Sequence, residues 1–533
     1  MKSLLLLSTL LAVCATAVAM SATVYISPAD KSIRLVKGVV DSDNGAATGY
    51  FNHSQNSTGW DILRIVTGST QQYSDHDLMR GAGYAEGYLT QVQIWYQYQN
   101  LYQVLLSSYT QQEIQQVMDY FQTQRQWMED RISNDSEFWY TVGLIYSQFQ
   151  GLMEGYNAAA DDDHKLDIFA FDLLNGAGDF IDISNFLFRG RRPDVQQLTP
   201  PQLKSMLYRN GHCSALIKVL PGFENVFASH SSWFTYSSMY RIYKYYDFTM
   251  SGGAYPTKMM SFSSYPGFLE SLDDFYVMDS GLVMLQTTNN VFNMTLYDYA
   301  TPKALLAWQR VRLSNWLASD GEQWAFLLAQ FNSGTYNNQY MVLDLNRVHI
   351  NRSIDDGALW VVEQIPGYVG SGDETEILRD GYWASYNVPF FEKVYNMSGY
   401  PEVAEKVGPD ATYQLCPRAK IFRRDQGNVK DMASMQYIMR YNDYTLDPYS
   451  EKDPMNAICS RGDLQEKPEA GGCYDTKVTD YFMAMKSTAW AENGPTHQGL
   501  SPFSWSKSGL TDPHLGQPDI FDFGFIEMTP HLP

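Results

Sequence analysis

A cysteine at the start of a predicted strand is the residue whose type and position point most directly to chemistry. Cys213 follows the turn-like pair Asn210-Gly211 and begins an alternating run rich in β-branched residues, which indicates a strand. Cleavage between His212 and Cys213 would give Cys213 an α-amine beside its thiol, so that one residue would hold both a nucleophile and its base. We therefore expect a latent nucleophile at Cys213 that self-cleavage activates.

The spacing of a turn places a histidine opposite this cysteine. Pro221-Gly222 lies midway between Cys213 and His230. If the flanking strands form an antiparallel hairpin, the two residues fall at the same open end, opposite each other to within one or two residues. This arrangement puts an imidazole within reach of a thiol. Trp233 follows and suits either a wall of the pocket or the core.

The overall charge of the chain limits its partners. The 533 residues carry a formal net charge of −21, which argues against nucleic acid and against charge-driven binding to strongly anionic membranes. The sequence holds no Gly-x-Ser-x-Gly, no His-Glu-x-x-His and no Cys-x-x-Cys, and its nine histidines are scattered. We expect neither a metal nor an organic cofactor.

The first residues have the composition of a secretory signal peptide. Lys2 supplies the positive start, residues 4–13 the apolar core and residues 17–19 a small-residue cleavage site, which predicts a signal peptide over residues 1–19. The apolar core is too short for a transmembrane anchor, and no later segment is a long uninterrupted apolar run. We expect a secreted or lysosomal protein.

Six Asn-x-Ser/Thr sequons agree with this route and predict a glycoprotein. They are Asn52, Asn56, Asn134, Asn293, Asn351 and Asn396.

Four cysteines remain beyond the signal segment, and an even count allows two disulfide bridges. Cys459 and Cys473 flank a loop rich in Gly and Asp, and we expect one bridge between them. Cys213 and Cys416 would then remain thiols. The alternative is a Cys213–Cys416 bridge, which would make Cys213 structural.

The spacing of apolar residues predicts helices first and strands second. Residues 100–132 and 136–159 have the period of amphipathic helices, and residues 166–188 are apolar with a break at Asn175-Gly176. A strand at 60–66 precedes them. Further short strands are predicted at 214–220, 226–229, 258–263, 275–278, 282–287, 339–343 and 358–364. This order indicates an α+β fold with layers of sheet and helix.

Long motifs carry a resemblance to a known protein family. They are NGHCSALIK at 210–218, HSSW at 230–233, SSYPG at 263–267, DDFY at 273–276, NSGTYNNQ at 332–339, YWASYN at 382–387, PRAKIFRR at 417–424 and MRYND at 439–443. On these motifs the chain, from about residue 25 onward, resembles the phospholipase B-like proteins, which are secreted or lysosomal N-terminal-nucleophile hydrolases.

The resemblance implies an architecture and a maturation step. The implied fold is the αββα sandwich of N-terminal-nucleophile hydrolases, with two antiparallel sheets between helical layers. Autocatalytic cleavage before Cys213 would divide the chain into a fragment of residues 20–212 and a catalytic fragment of residues 213–533. The two fragments would stay associated as one fold unit, so that the N-terminal fragment is the first partner of the catalytic one.

The matching motifs also imply the site residues. Cys213 is the implied nucleophile, and His230, Thr288, Asn387 and Arg418 are the implied residues around it. The Asn387 amide can donate to a tetrahedral oxyanion. The Arg418 guanidinium can bind a carboxylate or phosphate oxygen, or orient the thiolate and the α-amine. Thr288 can fix the nucleophile or a water molecule.

The implied reaction is hydrolysis of acyl esters of phospholipids through an acyl-thioester at Cys213. Two alternatives remain open. The same residues serve an amidase that acts on small N-acyl compounds, and the chain is also compatible with a non-catalytic lysosomal binding glycoprotein whose cleavage is maturation alone.

Overall fold

Runs of strands and runs of helices follow one another along the computed structural model, which describes residues 18–133, 136–209, 213–272 and 275–530. The strands are β1 (Val18–Ile26), β2 (Ile33–Lys37), β3 (Ala47–His53), β4 (Trp60–Thr67), β5 (Ser214–Val219), β6 (Val226–Thr235), β7 (Arg241–Asp247), β8 (Met259–Ser264), β9 (Phe275–Met278), β10 (Leu282–Thr288), β11 (Asn338–Asp344), β12 (Val348–His349), β13 (Ser353–Ile354), β14 (Leu359–Ile365), β15 (Tyr368–Asp373), β16 (Tyr382–Ser385), β17 (Gly471–Asp480), β18 (Ala489–Asn493), β19 (Phe503–Ser504), β20 (Ile520–Phe521) and β21 (Ile526–Met528).

The helices cluster between β4 and β5 and again after β10. They are α1 (Gln55–Thr58), α2 (Asp75–Leu89), α3 (Gln91–Leu106), α4 (Gln111–Ile132), α5 (Glu137–Ala159), α6 (Ile168–Asn175), α7 (Ala177–Leu187), α8 (Pro200–Arg209), α9 (Ala307–Leu317), α10 (Gly321–Ala329), α11 (Thr375–Arg379), α12 (Glu392–Met397), α13 (Tyr400–Val407), α14 (Pro417–Asp425), α15 (Met432–Met439), α16 (Tyr481–Ala484) and α17 (Trp505–Ser508). Within the described residues, no helix combines the length and apolar composition that a membrane span needs.

Two sheets contain most of the strands. The large sheet has the order β15-β14-β11-β10-β9-β8-β7-β4-β3-β1-β2, and the small sheet has the order β16-β5-β6-β17-β18-β21. The small sheet is antiparallel throughout, as expected, but β4 and β7 of the large sheet pair in parallel, which corrects the expectation of two wholly antiparallel sheets. A parallel pair needs a long crossover, and the helices of residues 75–209 provide it.

Apolar clusters show how the layers stack. One cluster joins residues of both sheets, including Ile217 of β5 and Leu285 of β10, so the sheets face each other. A second cluster packs the other face of the large sheet against helices that include α2, α5 and α9. A third packs the outer face of the small sheet against α13, α14 and α15. The α+β class predicted from the sequence is confirmed.

Several predicted elements differ in their bounds. The helix expected over 100–132 is two helices, α3 and α4, because Thr110 begins α4 with a capping box that it forms with Glu113. The break expected at Asn175-Gly176 is confirmed, since α6 ends at Asn175. The first part of the chain is less purely helical than expected. β1, β2 and β3 precede the first long helix and form one end of the large sheet.

Helices α2 and α5 approach each other unusually closely. A Cβ on Gly83 would lie 2.0 Å from the carbonyl oxygen of Gln148, and one on Gly87 would lie 2.1 Å from that of Leu152. Only glycine allows two helix backbones to come this near, because any side chain would collide with the facing carbonyl groups. This contact presses α2 onto the large sheet and sets the thickness of the helical layer.

Two buried carboxyl groups accept hydrogen bonds from backbone N–H groups of other segments of the chain. Glu363 on β14 accepts hydrogen bonds from the backbone N–H groups of Phe390 and Phe391 at 2.7 and 3.0 Å, and burial raises its pKa to about 7. Asp179 on α7 accepts from the N–H of Ala307 at 3.0 Å, and burial raises its pKa to about 6. Both groups therefore bind a proton more tightly in the folded chain than in the unfolded chain.

We expect Glu363 and Asp179 to contribute more to the stability of the folded chain at pH 5 than at pH 8. A raised folded-state pKa contributes stability that is complete below the unfolded-chain value and is lost as the pH rises through the folded-state value. For Glu363 and Asp179 that loss falls between about pH 4 and pH 7, on the order of 1 kcal/mol per pKa unit for each group. Thermal melts between pH 5 and pH 8 measure the slope.

Glu363→Gln removes one of these titrations and keeps the hydrogen-bonding shape, so its melting temperature should vary less with pH. Glu405→Gln, on the exposed face of α13, is the matched control and should keep the slope of the unmodified protein. An unchanged slope in Glu363→Gln would contradict the assignment of the effect to this buried carboxyl group.

Candidate active site

The N-terminal end of β5 lies between two neighbouring strands. Cys213 immediately precedes β5, which pairs with β6 on one side and with β16 on the other. The antiparallel register sets Ser385, the last residue of β16, opposite Ala215. The chain that follows β16, beginning with Tyr386 and Asn387, therefore lies beside the start of β5. The fold thus brings Asn387 to Cys213, the predicted nucleophile, although the two are far apart in sequence.

The hairpin predicted around Pro221-Gly222 is confirmed. β5 and β6 are antiparallel, and Ala215 lies opposite His230. His230 is therefore offset by two residues from the level of Cys213, within the register that the spacing predicted. Residues directly opposite in an antiparallel pair share a face, and Ala215 packs between the two sheets, so the imidazole points toward the large sheet.

The backbone of Cys213 has a conformation that L-residues rarely adopt. Its φ is 81°, in the left-handed region, and its side chain is buried. Such a conformation costs about 1–2 kcal/mol for a residue with a Cβ, so surrounding contacts must hold it in place. His212, the other residue of the predicted cleavage site, lies outside the described residues.

A single guanidinium supplies those contacts. Arg418, in the first turn of α14, donates to the carbonyl oxygen of Cys213 and to Ser214 Oγ at 3.1 Å. Its other terminal nitrogen donates to the carbonyl oxygen of Tyr386 at 2.8 Å and to Asn387 Oδ1. Arg418 thus connects the nucleophile, the start of β5 and the segment after β16, which groups three of the five predicted site residues.

An indole ring and a disulfide bridge support the guanidinium. The Cζ atom of Arg418 lies 4.4 Å from the ring centre of Trp233, a cation–π contact. Behind the ring, Trp233 packs on the predicted disulfide between Cys459 and Cys473, whose Cα atoms are 5.0 Å apart. The bridge is confirmed, and Cys213 and Cys416 remain thiols.

The charges at this end of the site favour a negative group at Cys213. Burial lowers the pKa of Arg418 to about 10, while negative charge on Cys416 or Cys213 would raise it. A Cys213 thiolate and the Arg418 cation therefore stabilise each other. Burial raises the pKa of the Cys416 thiol to about 11, which keeps that second thiol neutral and unreactive.

His230 links the two sheets through a buried polar network. Its Nε2 atom lies 2.7 Å from the carbonyl oxygen of Gln286 on β10, and its Nδ1 atom lies 3.2 Å from Lys477 Nζ. Lys477 pairs with Asp475 at 2.6 Å, and Asp475 pairs with Arg241 at 2.7 Å. Burial and the Lys477 charge lower the pKa of His230 well below its usual value.

These contacts define the state of the imidazole. A carbonyl oxygen can only accept, so the proton is on Nε2, and Nδ1 accepts from the ammonium group of Lys477. Both ring nitrogens of a neutral His230 therefore have partners that join the small sheet to β10. This geometry suits a residue that positions the site; the catalytic role predicted for His230 stays a prediction.

The end of β10 provides the remaining predicted residue. β9 pairs with residues 283–285 of β10, and β10 continues to Thr288, which pairs with Asn338 of β11. Asn387 Nδ2 donates to the carbonyl oxygen of Thr288 at 2.7 Å, and the Thr287 and Ser385 hydroxyl groups share a hydrogen bond of 2.6 Å. Asn387 also has a φ of 70°, so its amide is oriented by its backbone, by Arg418 and by Thr288.

A narrow pocket surrounds Cys213. Four of its nine lining residues are aromatic, and the lining consists of Gly178, Ile181, Cys213, Trp233, Phe234, Leu272, Thr288, Tyr336 and Tyr474. It adjoins a cavity of about 290 Å³, which shares Gly178, Ile181, Thr288 and Tyr336, and a cavity of about 490 Å³, which shares Trp233 and Phe234. Cys213 therefore lies between two larger spaces that can take different parts of a substrate.

The sequence did not reveal all of these wall residues. Tyr474 enters the pocket at a bulge of β17, where the register with β6 shifts between Cys473 and Asp475. Such a bulge depends on the partner strand and leaves no local signal. Tyr336 lies in the motif NSGTYNNQ at 332–339, and this motif was the one feature of the sequence that could have indicated its place in the pocket wall. No group of His, Cys, Asp and Glu that could hold a metal ion occurs in the described part of the chain.

The predicted glycosylation sites differ in exposure. Asn56, Asn351 and Asn396 are exposed, whereas Asn52 and Asn293 are half-buried. Asn293 also uses its side chain to cap the turn at Thr295. Asn134 and residues 1–17 of the predicted signal peptide lie outside the described residues. Glycosylation remains a prediction, best supported at the three exposed positions.

Comparisons with known proteins agree with the motifs. The sequence matches the family model described as Phospholipase B over residues 47–528. It is 48% identical over 522 residues to Phospholipase B-like 1 of Rattus norvegicus, covering 96% of this chain and 92% of that protein. The same identity and coverage hold for Phospholipase B-like 1 of Homo sapiens. Phospholipase B of Crotalus adamanteus is 45% identical over 518 residues, with coverage of 96% and 93%.

We expect Arg418→Lys to destabilise the folded chain. A lysine cannot donate in the fork geometry that reaches Cys213 and Asn387 together, and hydrogen bonds from a charged group are worth about 1.5–3 kcal/mol each. The expected loss is a free energy of unfolding lower by roughly 3 kcal/mol, measured by denaturant titration. Arg423→Lys, at an exposed position of the same helix, is the control and should change little. Equal stability of the two variants would contradict the view that Arg418 clamps Cys213 and Asn387 together.

Proposed function

This chain belongs to the phospholipase B family, and on that premise we propose that it hydrolyses acyl ester bonds of phospholipids with Cys213 as an N-terminal nucleophile. One observation carries the mechanistic part of the proposal. Cys213 begins a strand with a positive φ, its thiol lines a pocket, and its carbonyl oxygen is held by Arg418. A residue that served packing alone would have no reason to keep this conformation.

The layer order supports the proposed fold family. Helices, the large sheet, the small sheet and further helices follow one another, as in the αββα sandwich of N-terminal-nucleophile hydrolases. β4, from the proposed fragment 20–212, pairs with β7, from the proposed fragment 213–533. The two fragments would therefore remain together after cleavage.

Self-cleavage follows from the chemistry of the thiol. The Cys213 sulfur attacks the carbonyl carbon of His212, the peptide nitrogen becomes the α-amine of Cys213, and the acyl group moves to sulfur as a thioester. Water then hydrolyses the thioester, which gives a carboxylate on His212 and restores the thiol. The strained backbone at Cys213 favours this path, because breaking the peptide bond releases the strain.

Turnover repeats the same acyl transfer on a substrate ester. The thiolate, stabilised by Arg418, attacks the ester carbonyl, and the oxyanion accepts a hydrogen bond from the Asn387 amide. The α-amine, with a reference pKa of about 7.7–8.0, relays the proton to the leaving alcohol. Water hydrolyses the acyl-thioester, releasing the fatty acid. In this scheme Thr288 orients Asn387 through its carbonyl oxygen, and His230 holds β6 against β10.

The proposed compartment is lysosomal or extracellular. The predicted signal segment and the exposed sequons at Asn56, Asn351 and Asn396 support passage through the secretory route. The disulfide between Cys459 and Cys473 fits an oxidising environment during folding.

We predict that Cys213→Ala remains a single chain, because no sulfur is left to accept the acyl group of His212. The unmodified protein should give a fragment whose N-terminal residue is Cys213, identified by N-terminal sequencing and intact mass. Cys416→Ala is the matched control, since it removes the neighbouring buried thiol, and it should still be cleaved. Efficient cutting at the same bond in Cys213→Ala would show that an external protease makes the cut.

We predict that Asn387→Gly folds and is cleaved but hydrolyses diacyl phosphatidylcholine with a kcat lower by about 10²–10³, the usual effect of losing one oxyanion donor. Glycine accepts the positive φ of this position, but the variant loses the hydrogen bonds of Asn387 with Arg418 and Thr288, so we expect a lower melting temperature in a chain that still folds. Asn351→Gly has the same change at an exposed residue that also has a positive φ, and it should keep full turnover.

Fatty acid release is followed with cleaved, deglycosylated enzyme on vesicles and detergent micelles between about pH 4 and pH 8, which spans the carboxyl and α-amine reference values. A near-normal kcat in Asn387→Gly would reject this donor. Turnover of N-acyl amides with none of phosphatidylcholine would transfer the assignment to an amidase. Equal fatty acid release by Cys213→Ala would show contamination.

A further inference from the structure

Arg192 lies at the wall of the 290 Å³ cavity and forms no ion pair with a carboxylate of the described residues. Its side chain is half-buried, and in the described part of the chain its hydrogen-bond acceptor is the thioether sulfur of Met294 at 4.0 Å, which is a weak acceptor. The ring of Phe292 lies 6.0 Å from its Cζ atom. Within the described residues it forms no ion pair, so most of its five N–H donors are available to a ligand.

The neighbouring arginines have different surroundings. Arg191 makes a two-pronged ion pair with Glu113 at 2.9 and 2.8 Å, and Arg189 pairs with Asp298 at 2.7 Å. Their charges are therefore compensated by carboxylates of the chain itself. Arg192 is the member of this basic segment that lines the cavity without an ion pair to a carboxylate in the described part of the chain, although the chain as a whole is strongly acidic.

One carboxyl group shares the wall with Arg192. Asp182 lines the same cavity, but it accepts hydrogen bonds from Tyr297 and from Asn337 Nδ2, the latter at 3.0 Å. Burial raises the pKa of Asp182, which weakens its negative charge, while Arg192 acts in the opposite direction. Asp182 is thus occupied by other donors and leaves the guanidinium of Arg192 to an external anion.

The cavity opens toward the nucleophile pocket along α7. Ile181 lines both spaces, whereas Asn185 lines the cavity alone. These residues are four positions apart, which corresponds to about 6 Å along a helix that rises about 1.5 Å per residue. Thr288 also borders both spaces. An ester carbonyl and a phosphate that are separated by a few covalent bonds can therefore occupy the pocket and the cavity together.

We propose that this cavity binds the phosphodiester of a phospholipid substrate, with Arg192 donating to the phosphate oxygens while the ester carbonyl lies at Cys213. The planar guanidinium fork matches phosphate geometry. This inference rests on the proposed function and adds to it the residue that orients the substrate. The larger cavity on the other side of the pocket, lined in part by Phe234, Met455 and Leu510, then receives the acyl chain.

The first test compares two esters. Arg192→Gln should raise KM for diacyl phosphatidylcholine and lower the ratio of its kcat/KM to that for a diacylglycerol in the same micelles by about tenfold, as expected for one lost charge-assisted contact. Arg189→Gln, in the same segment but outside the cavity, is the matched control and should keep the ratio. An equal loss on both esters would show a structural role and overturn the proposal, as would an unchanged ratio.

The second test measures binding without turnover. Calorimetry with cleaved protein should show glycerophosphocholine binding that Arg192→Gln weakens about tenfold and Arg189→Gln does not, with inorganic phosphate binding more weakly. If inorganic phosphate binds as tightly as glycerophosphocholine, the ligand of this cavity is free phosphate and not a lipid headgroup. Binding that depends on Arg192 in a protein with no phospholipase activity would support the phosphate site and refute the proposed function. Hydrolysis of phosphatidylcholine without such binding would support the proposed function and overturn the phosphate site at Arg192.

Discussion

The contacts of one largely buried guanidinium hold together the three chain segments that form the site. Arg418 reaches the backbone of Cys213, the hydroxyl group of Ser214 and the segment that begins at Tyr386, and each contact satisfies a donor that would be unfavourable to bury alone. The positive φ of Cys213 depends on this support. Trp233 packs against the guanidinium on one side and against the disulfide on the other, so the charge lies on a rigid support.

The two sheets meet this clamp through polar contacts at the end of β10. The carbonyl groups of Gln286 and Thr288 in this strand accept hydrogen bonds from His230 of the small sheet and from Asn387, which follows β16. Buried backbone acceptors need such partners. The separation between the sheets near the nucleophile is therefore fixed by hydrogen bonds of defined length, whereas farther along it is set by apolar packing.

The features of the site that depend on residues close together along the chain could be predicted from the sequence. The turn at Pro221-Gly222 was enough to place His230 near Cys213, and the Gly-rich loop was enough to predict the Cys459–Cys473 bridge. Arg418 and Asn387 come from distant segments and were found through motif resemblance, because no local pattern indicates which helix start meets which strand. The bulge at Tyr474 and the position of Arg192 at the cavity wall depend on tertiary packing, so the sequence did not reveal them.

The parallel pairing of β4 with β7 has a consequence for how the protein could refold after denaturation. Four strands on the N-terminal side of the proposed cut form one end of the large sheet, and they meet the rest of that sheet along this single seam. In the uncut chain, the linking segment keeps the two halves at a high effective concentration, whereas a denatured molecule cut as proposed would have to reassemble from two separate polypeptides. Such a cut form would persist only for as long as it does not unfold, and its recovery would need a second-order encounter between the two halves.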